Sequence, residues 1–285
     1  MILSMTGYGK QVVQLSTKKI TVEVKSLNSK NLDINARIPQ AYRDKELELR
    51  KLIAGSLVRG KVDFALFVEI TGEETSAEIN SGMVKKYMEQ LGSIADGDPI
   101  KLLELALRMP DTLKTEKTEI DDAEYQTIRN ALEEALKALN GFRDGEGKAL
   151  EQDFKLRIVA LRTLLDAVIQ LDPQRLESIR ERLLKAVAEL KTAVDENRFE
   201  QELIYYLEKY DITEEKVRLG NHLDYFETTL NAPKSNGKKL GFICQEIGRE
   251  INTLGSKANF APMQQLVVQM KDELEKIKEQ LLNVL

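Results

Sequence analysis

The sequence predicts an α+β fold: a small antiparallel sheet with one helix at the amino end, then a mainly α-helical region containing a long helical hairpin. Three observations predict it. Alternating, β-branched segments are confined to the first 71 residues. Past Asn80 the apolar residues recur at helical spacing almost throughout. Trp is absent, aromatic residues make up 6% and charged residues 31% of the chain, a soluble composition that favours helix.

The elements follow in order. Lys10 to Leu15 forms a strand after the punctuation Thr6-Gly7-Tyr8-Gly9. Ile20 to Lys25 and Leu32 to Ile38 each alternate apolar and polar residues, the signature of half-buried strands. Turn chemistry between them, Ser26 to Asn31, predicts that these two strands pair as a hairpin. A helix from about Tyr42 to Val58 ends at Arg59-Gly60, and Lys61 to Ile70 is the next strand. Ser81 to Leu91 is a short helix, and Asp98-Pro99 starts another that ends at Arg108 to Pro110.

Asp121 to Asn140 is helical, Gly141, Gly145 and Gly147 form a junction, and a second helix runs from about Lys148 to Leu171. Asp172-Pro173 reads as a stop and restart, with a helix to about Val194. The narrow apolar seams over 121–194 predict a projecting antiparallel hairpin. Helices from Asn197 to Lys209 and from Asp211 or Thr213 to Leu230 follow, then Gly237 to about Leu254, where Gly255 is expected to end the helix. Pro262 to Leu285 closes the chain with a heptad-like pattern.

Net charge is −5, which at face value argues against a nucleic-acid partner. The average conceals an asymmetry. Residues 1–63 hold 12 Lys+Arg against 6 Asp+Glu, residues 64–233 hold 22 against 35, and residues 234–261 hold 5 against 2. Two basic segments bracket an acidic middle and can form a basic surface despite the acidic total. The chain divides at 1–75, a basic sheet domain; 76–210, a helical region with the hairpin; and 211–285, a helical region expected to pack with the sheet domain.

Cys244 is the single cysteine, so neither an intramolecular disulfide nor a cysteine zinc cluster is possible, and its neighbours suggest packing. No run has the length of a bilayer span and no signal sequence is apparent, so the expected location is the cytoplasm.

The stretch Gly237 to Asn259 concentrates chemistry. Leu240, Ile243, Ile247, Ile251 and Leu254 form one apolar stripe, while Gln245, Glu246, Arg249, Glu250, Asn252 and Lys257 occupy other faces. Glu246 and Glu250 lie one turn apart, so their carboxylates can converge. Charge pattern alone favours a solvated helix with intrahelical ion pairs. His222, the one histidine, shares a helix face with Glu215 and Arg218, an arrangement suited to proton transfer near neutral pH or to ordinary surface ion pairs. Two carboxylates suit a hard divalent cation that keeps several waters, with Glu215 as a third ligand and Lys257 or Arg249 adding positive charge. No HExxH, phosphate-binding loop, dinucleotide glycine motif or nucleophile elbow is present, and Gly145-Glu146-Gly147 reads as a bend. Lys25, Lys30, Arg37, Arg59 and Lys61 flank turns bearing Asn28 and Asn31, a surface for contacting a phosphate backbone or simply a solvated sheet face.

Three separated blocks resemble the YicC/YloC endoribonuclease family. They are Met5 to Gly9 with Val24 to Asp33 and Arg59 to Val62; Asp211 to Glu215; and Lys239 to Lys257, through Gln245-Glu246, Arg249-Glu250 and Asn252. The resemblance implies a bacterial cytoplasmic endoribonuclease that needs a divalent metal (Mn2+ or Mg2+), assembles as a homo-hexamer and acts in RNA turnover, beside other RNA-degradation proteins and away from membranes. It carries roles onto Glu246, Arg249, Glu250, Asn252, Lys257, His222 and Glu215. Gly241, Gly248 and Phe260 depart from its pattern, which has Asp, Asn and Asp at those places. The expected activity is metal-dependent hydrolysis of RNA. Glu246, Glu250 and Glu215 would hold the metal, with His222 as general acid or base and Arg249 and Lys257 stabilising charge. Lys25, Asn28, Lys30, Arg37, Arg59, Lys61 and Asn252 would hold RNA. The alternative is an RNA-binding adaptor that brings transcripts to a separate nuclease.

Overall fold

A computed structural model describes residues 1–71, 78–95, 97–114, 121–189 and 196–285. The four main strands are β1 (Gly7–Gln14), β2 (Lys18–Leu27), β3 (Leu32–Arg37) and β4 (Gly60–Ile70), with α1 (Glu46–Ser56) between the last two. A two-residue pair, β5 (Glu78–Ile79) with β6 (Leu113–Lys114), encloses α2 (Ser81–Ile94) and α3 (Pro99–Leu107). Five helices follow: α4 (Asp122–Glu189), α5 (Glu196–Lys209), α6 (Thr213–Leu230), α7 (Gly237–Lys257) and α8 (Ala261–Leu281). The α+β class is as expected. Asp98 caps α3 by accepting the Ile100 amide at 3.1 Å, and Pro99 opens it.

The chain forms two compact units. One comprises Tyr8–Ser26 and Asn31–Leu139; the other comprises Met1–Gly7, Leu27–Lys30 and Asn140–Leu285. The junction expected around residues 73–80 lies mostly outside the described residues.

In the first unit the sheet order is β1-β2-β4-β3. This corrects the expected hairpin: β4 lies between β2 and β3, and β3 pairs with β4 in parallel, from Leu32 opposite Gly60 to Arg37 opposite Ala65. The sheet is therefore mixed. Period-2 alternation identifies strands but carries no information on neighbours, and residues 28–31 link β2 to β3 although β4 lies between them in the sheet. Parallel neighbours need a crossover, which a 3₁₀ turn (Gln40–Lys45) and α1 supply. Ile20, Val22, Val24, Val62, Phe64 and Leu66 point one way into a core with Leu49 and Ile53 of α1 and Ile128, Leu132, Leu136 and Leu139 of α4. Each such residue contributes roughly 1.5–3 kcal/mol by leaving water. Gly9 permits β1 to approach α4, since a Cβ there would stand 1.9 Å from the Ala135 carbonyl oxygen.

The second correction concerns α4. It runs unbroken through Gly141, Gly145, Gly147 and Pro173, so neither the expected junction nor the stop at Asp172-Pro173 exists, and no hairpin turn falls within Asp122–Glu189. Residues 190–194, where the second arm was expected to end, lie outside the described set. Glycine weakens a helix by only about 1 kcal/mol, which flanking apolar packing overcomes. Gly147 serves a close approach: a Cβ there would lie 2.0 Å from the Ile2 carbonyl oxygen. Pro173 is held by a buried network rather than capped. Asp172 accepts from Arg175 Nε at 2.8 Å and Lys216 Nζ at 2.6 Å, while Arg175 also donates to the Tyr210 carbonyl at 2.8 Å.

The second unit packs Phe154, Ile158, Leu161, Leu165 and Val168 of α4 with α6, α7 and α8. Its ends are stitched together. Ser4 bridges Val284, Met5 N donates to the Asn283 carbonyl at 2.8 Å, and Leu285 N donates to the Leu3 carbonyl at 2.9 Å. Gly255 does not end α7, which continues to Lys257. A Cβ at Gly255 would stand 2.9 Å from Val267 Cγ1, so its smallness fits α8 against α7. Among the described residues no helix is long and apolar enough to cross a membrane.

Candidate active site on the paired helices α6 and α7

Helix α7 buries Leu240, Ile243, Cys244, Ile247, Ile251 and Leu254, the predicted stripe with one addition. Burial pushes the Cys244 thiol up to about 12, so it is a packing residue, not a nucleophile. At about 100° per residue, Lys239, Phe242, Glu246, Arg249, Glu250 and Lys257 share one flank of α7. Glu215, Arg218, His222 and Tyr225 share a flank of α6 in the same way.

Two contacts align these flanks. At one end Lys257 Nζ lies 2.8 Å from Glu215 Oε1. Towards the other, Lys239 Nζ lies 4.7 Å from the centre of the Tyr225 ring. His222 is seven residues past Glu215, and Glu250 is seven residues before Lys257. His222 on α6 and Glu250 on α7 thus both lie between these two contacts along the helix pair.

The acids of this flank are in unequal states. Glu246 is partly exposed and pairs with Arg249 at 2.6 Å, a surface pair that forms and breaks readily. Glu215 is only 6% exposed; one oxygen meets Lys257 and the other, Oε2, is buried with no hydrogen-bond donor among the described residues. Glu250 is 9% exposed and makes no hydrogen bond or ion pair among the described residues. The Glu215 oxygen, withdrawn from water without a donor or cation, carries a free-energy cost that most stable folds avoid, whereas the Glu250 oxygens are not among the buried unsatisfied atoms. His222 is half-buried, whereas Asn252 and Arg249 are exposed.

Among the described residues no group of three or more His, Cys, Asp and Glu is arranged to hold a metal ion, so Glu215, Glu246 and Glu250 do not form a ready-made cage. Glu250 and the unmatched Glu215 oxygen are hard donors of the right kind for an ion bound through one or two carboxylates and its own water. The fit is to a hydrated divalent ion.

The residues expected to hold RNA are more dispersed. Lys25 is exposed, 3.9 Å from Glu23 and 5.5 Å from the centre of the Tyr8 ring. The Asn28 amide donates to the Leu282 carbonyl, so it anchors its own segment. Lys30 and Arg37 are exposed and Arg59 is half-buried. Lys61 stands opposite Asp33 and Arg37 opposite Ala65, about 13 Å apart along the strands. Asp33 and Asp63 share that edge with them, so the local surface carries both signs. Sequence reasoning missed Lys239, Tyr225 and Phe242. Their signal was present in the spacing, since Phe242 precedes Glu246 by one turn and Tyr225 follows His222 by three residues.

Comparison with known proteins agrees with both halves of the chain. Residues 2–152 match the family described as endoribonuclease YicC-like, N-terminal region, and residues 168–285 match endoribonuclease YicC-like, C-terminal. The chain is 34% identical over 293 residues to "Probable endoribonuclease YicC" of Clostridioides difficile (strain 630), covering 100% of both chains. It is 29% identical over 289 residues to the Haemophilus influenzae protein of the same name, again covering 100% of each. By these matches, which span the sheet and the helix pair alike, the chain belongs to the YicC-like endoribonuclease family.

Proposed function

We propose that this endoribonuclease hydrolyses RNA phosphodiester bonds on the facing flanks of α6 and α7, with a divalent cation, Mn2+ or Mg2+, held by Glu250 with Glu246 and Glu215. The observation that supports this reading is the Glu215 carboxylate, 6% exposed, with one oxygen on Lys257 and the other, Oε2, buried without a donor among the described residues, on the same α6 flank as the one histidine. When bound, the cation supplies positive charge and a water of lowered pKa. His222 transfers a proton at the attacking or the leaving oxygen. Arg249, free to leave Glu246, and Lys257 at the end of the flank stabilise the negative charge that builds on the phosphate. Asn252 and the lysines and arginines of the sheet, Lys25, Lys30, Arg37, Arg59 and Lys61, bind the RNA backbone, with Asn28 positioning its loop. A role in RNA turnover, a homo-hexameric assembly and a cytoplasmic setting accompany this reading.

The test is incubation of the purified chain with labelled RNA, with and without Mn2+ or Mg2+, beside Glu246→Gln and Glu250→Gln proteins prepared identically. Cation-dependent cleavage lost in the variants, with RNA binding retained, supports the assignment. Full cleavage by the variants overturns it and favours an adaptor that recruits another nuclease.

A further inference from the structure

The flank that carries Glu246 also carries features that hydrolysis does not use. Phe242 is 67% exposed, one helical turn from Glu246, and Tyr225 is 47% exposed on the adjoining flank of α6. An exposed Phe on an otherwise well-sorted amphipathic helix loses free energy to water and gains nothing from the core. Beside it, a Cβ added at Gly241 would meet nothing within 4 Å, so the space next to the ring is open. Lys239, over the Tyr225 ring, and Lys234 and Lys238 have no acidic partner among the described residues. This end of the helix pair therefore joins unpaired positive charge to accessible aromatic faces, the combination that holds single-stranded nucleic acid by its phosphates and its bases together.

We propose that Phe242 is a stacking platform for one unpaired nucleobase of the RNA substrate, with Lys239 binding the adjoining phosphate. The proposal rests on the active-site reading above. Side chains one turn apart on a helix are about 6 Å from each other, comparable to the reach from a base to its own backbone. A base on Phe242 thus places a neighbouring phosphate beside Glu246 and Arg249. Bases locked in a duplex cannot reach the ring, so the substrate class is single-stranded RNA or a loop. The charge complementarity of the lysines selects a polyanion over an apolar protein segment as the occupant.

The test uses the full chain and a short single-stranded RNA bearing one 2-aminopurine, whose fluorescence falls on stacking. Binding is followed in chelator, and the RNA is checked on a gel afterwards. The expected result is quenching by the unmodified protein and an affinity about ten- to hundredfold lower, without quenching, for Phe242→Ala. Phe242→Trp restores both, Phe242→Leu restores neither, and an abasic site at that position weakens the unmodified protein but not Phe242→Ala. Equal binding and quenching by Phe242→Ala, or full rescue by Phe242→Leu, overturns the platform. A change in sedimentation of Phe242→Ala with unaltered RNA binding also overturns it and makes this face a contact between protein subunits. Cleavage by the unmodified protein is scored separately: quenching without any cleavage retains the platform and removes the nuclease reading.

Discussion

Helices α7 and α8 have the same length of 21 residues, lie side by side in one unit and are both amphipathic, yet they treat their more buried acids differently. On α8, Asp272 and Glu273 pair with Lys276 at 2.6 and 2.8 Å, Glu275 pairs with Lys278 at 2.7 Å, and Glu273 also meets Arg157 of α4 at 3.0 Å. On α7 the more buried acid, Glu250, has no counterion among the described residues. Charge density is similar on the two helices, so it cannot separate a structural surface from a working one. The difference lies in which charges are matched.

Exchanging the acids tests that contrast most sharply. Glu250→Gln is expected to reduce RNA cleavage at least about a hundredfold, by single-turnover assay, while leaving urea stability unchanged, because no hydrogen bond or ion pair among the described residues is lost. Glu273→Gln should do the reverse, keeping cleavage and losing about 1–2 kcal/mol of stability. If the two swap behaviours, the contrast has no functional meaning. His222→Ala should likewise cost about a hundredfold in cleavage with little change in RNA affinity.

The Glu215–Lys257 pair comes next in size. Lys257→Ala leaves a carboxylate that is 6% exposed with no counterion. Because the lysine itself is one-third exposed, the expected loss is about 1–3 kcal/mol rather than the full cost of a broken buried pair. Adding Glu215→Gln should recover most of the stability and none of the activity. Recovery of cleavage by the double variant would make the pair purely structural.

The first unit offers a control remote from this chemistry. Burial, then the hydrogen bond and charge of Glu48, push the Tyr125 hydroxyl up to about 12; burial and Glu124 raise Tyr42 in the same direction. The unfolded chain loses these protons near pH 10 while the folded chain keeps them, so the sheet's stability falls as pH rises from about 10 to 12. Hydrogen exchange on β2 and β4 should show it, and Tyr125→Phe should flatten the dependence. The smallest effect expected is at Gly241, where a side chain meets open space: Gly241→Ala should stabilise α7 by about 0.5–1 kcal/mol.

Much of this was legible in the residues themselves. Alternation and the glycine punctuation between segments located all four main strands, and 3.6-residue periodicity located the helices, because each pattern is imposed by the element's own geometry. Strand neighbours were not legible: β4 separates β2 from β3 through contacts distant in sequence. Nor was the continuity of α4, since glycine and proline announce a break only when nothing else holds the helix. Gly147 answers to Ile2 and Pro173 sits within the Asp172, Arg175 and Lys216 network, none of it local. The α7 stripe and its acids were visible as a motif. That Glu246 is spent on Arg249 while Glu250 is left unmatched is a property of packing.

The stitch between the first and last residues has a consequence for biosynthesis. The first unit draws on residues up to 139, so its core is available to fold while the rest of the chain is still being made. The second unit joins its earliest residues to distant ones: besides bonds to Arg143 and Ser235, Leu3 accepts from Leu285 N and Met5 N donates to the Asn283 carbonyl. Its completion therefore needs residues 283–285 in place. Contacts between residues 3–5 and 283–285 are very distant in sequence, so the second unit is expected to close later in folding than the first.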